Sequence, residues 1–130
     1  MAENRKILIV DDEPFILKSL LFIFKREGFD VLCAINGEQG LELLREHRPA
    51  LVFLDIMLPG RDGYDICREI KEDEELKGTH VVLLTAKGQE ADKQRAFQIG
   101  ADDYVTKPFS PSRVVEKARA VLADAAASKA

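Results

Sequence analysis

Five short apolar runs, separated by longer stretches with helical spacing, constrain the fold of this chain more than any other feature. The runs are KILIV (6–10), VLCAI (31–35), LVFL (51–54), VVLL (81–84) and DYV (103–105). Most of them are continuously apolar rather than alternating, which is typical of strands buried on both faces of a parallel sheet. The sequence therefore predicts an α/β fold, a doubly wound five-stranded parallel sheet with five helices.

Apolar spacing and capping residues predict a helix after each run. Ile16, Leu20 and Phe24 recur at helical spacing. They indicate a first helix over about Pro14–Glu27, which ends at Gly28. The other helices are predicted over Glu38–His47, from near Asp62, near Gln89–Ile99, and from Pro111 with Ser110 as the N-cap.

The length of the chain, 130 residues, suffices for one domain with a core and is too short for two ordinary domains. We expect that domain to span residues 1–122, and residues 123–130 to be a flexible tail or a truncated linker. The formal net charge of -4 disfavours direct binding of nucleic acid, because a phosphate backbone attracts a basic patch.

The two cysteines, Cys33 and Cys67, lack the spacing of metal ligands and are expected to be free thiols in a reducing cytosol. No apolar run approaches the length of a membrane span, and the first residues lack the cleavage region of a signal peptide. We therefore expect a cytoplasmic protein without a membrane partner.

Polar side chains follow four of the five predicted strands. They are Asp11 and Asp12 after the first strand, Asp55 after the third, Thr85 after the fourth and Lys107 after the fifth. In open α/β sheets, ligands bind beyond the carboxyl ends of the strands. Adjacent strands would bring these five side chains to the rim of one pocket.

These residue types suit phosphoryl chemistry. Crowded carboxylates repel one another, and a divalent cation such as Mg²⁺ removes that cost while accepting phosphate oxygens. Asp55 is then a candidate nucleophile towards a phosphoryl group. The ammonium of Lys107 and the hydroxyl of Thr85 are suited to neutralising the phosphoryl oxygens.

Each of these residues also has an ordinary structural interpretation. Asp11 and Asp12 fit the N-cap of the first helix, and Asp55 fits a turn before the Pro-Gly pair. Thr85 and Lys107 fit a strand-end hydroxyl and a solvated loop lysine. No single residue is specific, but their coincidence at four strand ends favours a site.

With these residues in place, the sequence resembles the response regulator receiver domain, the CheY-like phosphoacceptor domain of two-component signalling. The resemblance covers about residues 5–122. It rests on VDDEP (10–14), FLDIMLPGRDGYD (53–65), LLTA (83–86) and GADDYVTKPF (100–109). It implies a flavodoxin-like sheet with the strand order 2-1-3-4-5.

The resemblance also implies the metal site and the phosphoacceptor. Asp55 is the implied phosphoacceptor. The implied Mg²⁺ ligands are the side chains of Asp12 and Asp55 and the backbone carbonyl of Met57. Asp11 is implied to act indirectly, through water or hydrogen bonds.

The remaining implied roles concern switching. Thr85 is the implied switch hydroxyl, and Tyr104 is the aromatic residue that turns inward when Thr85 moves. Lys107 pairs with the phosphoryl oxygens, and the Lys107–Pro108 peptide is implied to be cis. The fourth helix, fifth strand and fifth helix form the expected output face.

The implied partners are a sensor histidine kinase or histidine phosphotransfer protein, and a downstream protein or effector domain. The domain is not expected to be an enzyme in the ordinary sense, although it promotes its own phosphotransfer and autodephosphorylation. Met57 and Lys87 flank Asp55 and are expected to govern the loss of the phosphoryl group.

The motif sequences are similar to those of receiver domains that precede a DNA-binding domain. A fragment of a larger transcriptional regulator therefore remains an alternative. Such receivers often form phosphorylation-dependent dimers through charge pairs. Lys93, Asp102 and Asp103 fit that pairing, but Arg113 stands where a glutamate is usual.

Two other classes of protein also remain. A phosphatase with an aspartate nucleophile typically has a second acid two residues later, where this chain has Met57. A cofactor-binding protein of the flavodoxin type needs a phosphate-binding loop after the first strand, where this chain has the acidic DDEP segment. The strand-end residues conflict with both.

Overall fold

The computed structural model describes residues 6–86 and 90–129. Strands and helices alternate along the chain as β1 (Lys6–Val10), α1 (Pro14–Arg26), β2 (Asp30–Ala34), α2 (Gly37–His47), β3 (Leu51–Asp55), α3 (Gly63–Glu72), β4 (His80–Ala86), α4 (Glu90–Gln98), β5 (Asp103–Lys107) and α5 (Pro111–Lys129). This alternation confirms the predicted α/β class.

All four strand pairings are parallel, and the strand order is β2-β1-β3-β4-β5. The order confirms the one that the resemblance implied. Within it β1, β3 and β4 are interior strands and their carboxyl ends are adjacent. Parallel strands need crossover helices, which here cover both faces of the sheet.

A separate apolar core lies on each face of the sheet. On one face Ile7 and Ile9 of β1 pack with Leu20 and Phe24 of α1 and with apolar residues of α5. On the other face the alternate residues of β1 pack with α2, α3 and α4. Because side chains alternate along a strand, one continuously apolar strand supplies both cores.

The C-terminal helix continues past its apolar residues. α5 extends to Lys129, and the flexible tail or truncated linker over residues 123–130 stays a prediction. The segment is rich in alanine, the residue with the strongest helix propensity, so the helix continues although its apolar pattern has ended. The other predicted boundaries lie within a few residues of the observed ones.

Both cysteines are free thiols, Cys33 half-buried and Cys67 buried. Burial raises the pKa of the Cys67 thiol to about 11, which leaves it protonated and unreactive at neutral pH. None of the helices in the part of the chain described above is long and apolar enough to cross a membrane.

Candidate functional site at the carboxyl edge of the sheet

Three carboxylates from two adjacent strands meet at the carboxyl edge of the sheet. Asp11 follows β1, Asp55 ends β3, and Asp12 lies beside Asp11. One carboxylate oxygen from each lies within 4.8 Å of the others. Asp11 and Asp55 are buried, at 0% and 2% exposure, whereas Asp12 is exposed to solvent. The sequence-predicted acidic residues are therefore brought together.

Lys107 brings a single positive charge to this cluster from the end of β5. Its ammonium donates a hydrogen bond to Asp11 Oδ2 at 2.9 Å and lies 3.4 Å from Asp55 Oδ2. It also lies 3.4 Å from Glu13 Oε1. Glu13 was not predicted as a site residue, and its signal in the sequence was the third acid of the DDE segment.

Asp11 contacts both the start of α1 and the lysine of the site. Its Oδ1 accepts a hydrogen bond from the backbone N–H of Glu13 at 2.9 Å, at the start of α1, while its Oδ2 faces Lys107. The Glu13 side chain itself makes no capping hydrogen bond. One buried carboxylate therefore fixes the helix start and the lysine together.

The chain around Asp55 leaves little freedom for its carboxylate. Asp55 Oδ1 accepts the backbone N–H of Met57 at 3.2 Å. A Cβ atom at Gly63 would lie 2.3 Å from the carbonyl oxygen of Asp55, so only glycine allows α3 to begin so close behind β3. The Met57 side chain is 75% exposed and points away from the core.

Thr85 and Tyr104 lie on the two strands beyond Asp55. Thr85 is buried and follows Leu84, the residue that pairs with Asp55 across β3 and β4. The half-buried ring of Tyr104 stands edge-on to Phe97 of α4, with the ring centres 5.9 Å apart. Thr85 thus lies one residue beyond the strand position that pairs with Asp55, and Tyr104 lies against α4.

The peptide bond between Lys107 and Pro108 is cis. Lys87 lies outside the described residues, as does the side chain of Lys93.

The electrostatics of the site leave its carboxylates incompletely neutralised. Burial raises the pKa of Asp55, and the nearby Asp11 raises it further, although the Met57 N–H and Lys107 act in the opposite direction. Burial alone would lower the pKa of Lys107, but the hydrogen bond to Asp11 and the attraction of Asp55 outweigh it and raise that pKa. The folded chain thus holds more negative charge here than its own cation compensates.

This excess of negative charge bears on whether a divalent cation fits the site. The clustered donors are carboxylate oxygens, the ligands that Mg²⁺ prefers. A cation would relieve the repulsion that raises the pKa of Asp55. The residues present therefore fit a Mg²⁺ site.

A second charged cluster, which was not predicted from the sequence, joins the loop between β3 and α3 to both α2 and α3. The guanidinium of Arg61 donates three hydrogen bonds, to Asp65 Oδ2 at 2.7 Å, Glu38 Oε1 at 2.9 Å and Glu69 Oε1 at 2.7 Å. We call these four residues the Arg61 network. Its only sequence signal was the four-residue spacing of Arg61 and Asp65.

A parallel sheet of this order with an acidic cluster and a lysine at its carboxyl edge defines a signalling domain of the two-component class. Comparison with protein families agrees: the response regulator receiver domain family matches residues 7–119. The chain therefore belongs to the response regulator receiver domain family. Receiver domains are signalling domains that partner with histidine kinases and downstream effector domains.

Solved structures share this fold over most of the chain. The BeF3-activated DrrB receiver domain is 38% identical, with a TM-score of 0.81, and the match covers 94% of this chain and 98% of that one. The signal receiver domain of a histidine kinase from Syntrophus aciditrophicus is 32% identical, with a TM-score of 0.85 and coverage of 95% and 92%. NtrX from Brucella abortus is 31% identical, with a TM-score of 0.86, and the match covers 99% of this chain but 28% of NtrX.

Proposed function

We propose that this domain accepts a phosphoryl group on Asp55 from a sensor histidine kinase or a histidine phosphotransfer protein. The observation that carries the proposal is the position of Asp55: a buried carboxylate at a strand end, beside two other carboxylates and one lysine. Asp55 Oδ2 faces Lys107 at 3.4 Å, and this cation is suited to neutralising the oxygens of a phosphoryl group attached there.

The proposed reaction is a direct displacement at phosphorus. An Asp55 oxygen attacks the phosphorus of a phosphohistidine, a P–O bond forms, and the P–N bond of the donor breaks with the electron pair returning to the imidazole. Lys107, already 3.4 Å from Asp55, neutralises a phosphoryl oxygen, and the Thr85 hydroxyl donates to another. Asp11 holds Lys107 in place through its hydrogen bond.

Mg²⁺ would be held by the side chains of Asp12 and Asp55 and the backbone carbonyl of Met57, with Asp11 acting indirectly. When bound, the cation supplies neutralisation of the phosphoryl oxygens and of the acidic cluster. The hydrogen bond from the Met57 N–H to Asp55 favours this assignment, because it keeps the Met57 backbone next to the carboxylate. Hydrolysis of the aspartyl-phosphate by the domain itself belongs to the same proposal.

The proposed output is a change in packing on the face formed by α4, β5 and α5. A phosphoryl group on Asp55 adds acceptor oxygens that draw Thr85 towards it. Tyr104 would then leave its contact with Phe97 and fill the vacated space. The equilibrium between two packings of this face shifts, and a downstream protein or effector domain binds one of them.

Charge pairs within the chain bear on the expected dimer. Asp102 pairs with Lys71 at 2.7 Å, and Asp103 pairs with Lys117. A phosphorylation-dependent dimer through these two carboxylates would share them with lysines of the same chain, since a carboxylate accepts several hydrogen bonds. An effector domain of a larger regulator is the alternative output.

The direct test is labelling with acetyl phosphate in the presence of Mg²⁺, read by intact mass and by mapping of the modified peptide. The wild-type domain is expected to gain one phosphoryl group on Asp55, and Asp55→Asn is expected to gain none. Chelation of the metal, or the substitution Asp12→Ala, should strongly reduce labelling of the wild-type site.

Asp30→Asn is the matched control, because Asp30 is an exposed carboxylate at the start of β2, at the opposite edge of the sheet. It should be labelled like the wild type. Labelling of Asp55→Asn to the wild-type extent, or label mapped to another residue, would refute the assignment of Asp55.

A further inference from the structure

The loop of residues 56–62 carries Met57 from the acidic cluster to the start of α3, and its base is closed by hydrogen bonds. The N–H of Gly63 donates to the carbonyl of Ile56 at 3.0 Å. The N–H of Met57 donates to Asp55 Oδ1 at 3.2 Å. The base of the loop is therefore tied to the phosphorylation site itself.

The far half of the loop has fewer constraints in its backbone. Ile56 and Leu58 are buried and anchor the first half. Pro59 and Gly60 follow, and Gly60 has a φ of 78°, the left-handed conformation of a turn that glycine tolerates. Beyond this turn Asp62 ties the loop to α3, since its Oδ1 accepts the N–H of Asp65 at 2.9 Å, and this bond reaches α3 alone.

Arg61 extends this tie to α2. It is the residue after the turn, and its three hydrogen bonds end on α2 through Glu38 and on α3 through Asp65 and Glu69. Its side chain is 34% exposed, well below that of Glu38 at 68%. A single guanidinium can hold three carboxylates because its N–H groups form a rigid planar fork.

Arg61 changes the electrostatics of two of its partners. Its hydrogen bonds lower the pKa of Asp65 and of Glu69. Glu69 also accepts a hydrogen bond from Arg45 of α2 at 3.2 Å, so the network joins two helices to the loop. A network of several charges with short hydrogen bonds is better ordered than an isolated surface pair.

We infer that Arg61 is a positioning residue for the phosphorylation site: by fixing the loop of residues 56–62 to α2 and α3, it holds the Met57 carbonyl where Mg²⁺ is bound. Arg61 does not touch the reacting atoms. The inference rests on the proposed function, since it assigns Arg61 a part in the metal site described above.

The direction in which the affinity for Mg²⁺ changes when Arg61 is replaced distinguishes a positioning role from a purely electrostatic one. Arg61 is a cation near a cation site, so its charge alone weakens the binding of Mg²⁺. Removing that charge would then tighten binding. If Arg61 positions the loop, removing it must weaken binding, because the Met57 carbonyl loses its fixed place.

The test is a titration of Arg61→Gln with Mg²⁺ alone, followed by the amide NMR signals of the site. We expect the dissociation constant for Mg²⁺ to rise about 10-fold, the lower end of the range for groups that orient metal ligands. Arg61→Lys should recover part of the loss, because an ammonium can satisfy some but not all of the three carboxylates.

Arg48→Gln is the matched control. Arg48 donates to the side chain and the backbone carbonyl of Glu75, so the variant removes the same charge and a similar set of hydrogen bonds away from the loop. Its dissociation constant should stay within about two-fold of wild type, as for other surface ion pairs. An unchanged or tighter constant for Arg61→Gln would overturn the inference.

A second readout needs no metal. In metal-free protein, hydrogen exchange at the amides of Met57 and Gly63 should be faster in Arg61→Gln than in the wild type and in Arg48→Gln. Wild-type exchange at both amides in Arg61→Gln would count against the loop role. If the wild type bound no Mg²⁺ and took no phosphoryl group, the proposed function would fail, while the exchange data would still decide whether Arg61 fixes the loop.

Discussion

Lys107 at the acidic cluster and Arg61 in its network each face three carboxylates, yet the two regions have opposite electrostatic outcomes. Lys107 faces Asp11, Asp55 and Glu13 at distances of 2.9, 3.4 and 3.4 Å. The guanidinium of Arg61 faces Asp65, Glu38 and Glu69 at 2.7, 2.9 and 2.7 Å. The pKa of Asp55 is raised, whereas the pKa values of Asp65 and Glu69 are lowered.

Burial and donor geometry explain the difference. Asp55 is removed from water, and the ammonium of Lys107 is a point charge shared with Asp11. Asp65 stays hydrated and receives a short bond from a planar fork. The first cluster is left incompletely neutralised, as the proposed metal and phosphoryl site requires, whereas the hydrated carboxylates of the second need no further cation.

Gly63 is the point where the two regions meet, and substituting it should have the largest effect. In Gly63→Ala the new Cβ would lie 2.3 Å from the backbone oxygen of Asp55, which cannot move without shifting β3. We expect a loss of about 1–3 kcal/mol in the free energy of unfolding, although alanine is the better helix former. Urea denaturation measures it.

Gly78→Ala is the control for that substitution, because a Cβ at Gly78 has nothing within 4 Å and Gly78 has no left-handed conformation. Its stability should stay within about 0.5 kcal/mol of wild type. Equal stability of the two variants would show that α3 can move away from Asp55 at little cost. The junction would then not couple the two regions.

The fold was predictable because one signal repeats along the whole chain. Runs such as LVFL at 51–54 are apolar at every position, and the helices between them have clear ends, such as Gly28. The extension of α5 to Lys129 was missed because alanine carries helix propensity but no apolar pattern. The strand order required the resemblance, since periodicity does not determine which strands are neighbours.

The acidic cluster was predictable for a related reason: parallel strands deliver their last residues to one edge, so Asp11, Asp55 and Lys107 had to approach one another. The Arg61 network was not. Its contact with Glu38 spans 23 residues and joins two surface elements, and surface charges have no periodicity that reports their partners. Glu13 was missed because its contact depends on how far Lys107 reaches.

Replacing one carboxylate in each region by an amide should change the free energy of unfolding in opposite directions. Both changes should be smaller than that at Gly63. The raised pKa of Asp55 means that the fold prefers its uncharged form. Asp55→Asn should therefore raise the free energy of unfolding by about 1 kcal/mol at neutral pH without metal. Asp65→Asn should lower it, because Arg61 loses a partner.

Urea denaturation in the presence of a chelator measures both variants. Addition of Mg²⁺ should then stabilise the wild type and Asp65→Asn more than Asp55→Asn, since Asp55 is a proposed ligand. Destabilisation of Asp55→Asn without metal would mean that Lys107 already compensates the cluster, and the contrast between the regions would disappear.

The pH dependence of the two regions gives the smallest effect and the finest distinction. Asp65 and Glu69 have folded pKa values below their ordinary 3.8 and 4.5, so their stabilisation is complete above those values and is lost as the pH falls through the folded ones. Asp55 has a folded pKa above 3.8, so its ionisation destabilises the fold as the pH rises from 3.8 through the folded pKa. Carbon-detected NMR titration of the metal-free protein should resolve the three carboxyl groups.

Arg61→Gln sharpens this comparison. It should return the pKa values of Asp65 and Glu69 towards their ordinary range, because their largest shift comes from the hydrogen bond to Arg61. It should leave the pKa of Asp55 raised, because burial and Asp11 cause that shift and neither depends on Arg61. A fall in the pKa of Asp55 to its ordinary 3.8 in Arg61→Gln would contradict this expectation, because it would make the shift depend on Arg61 rather than on burial and Asp11.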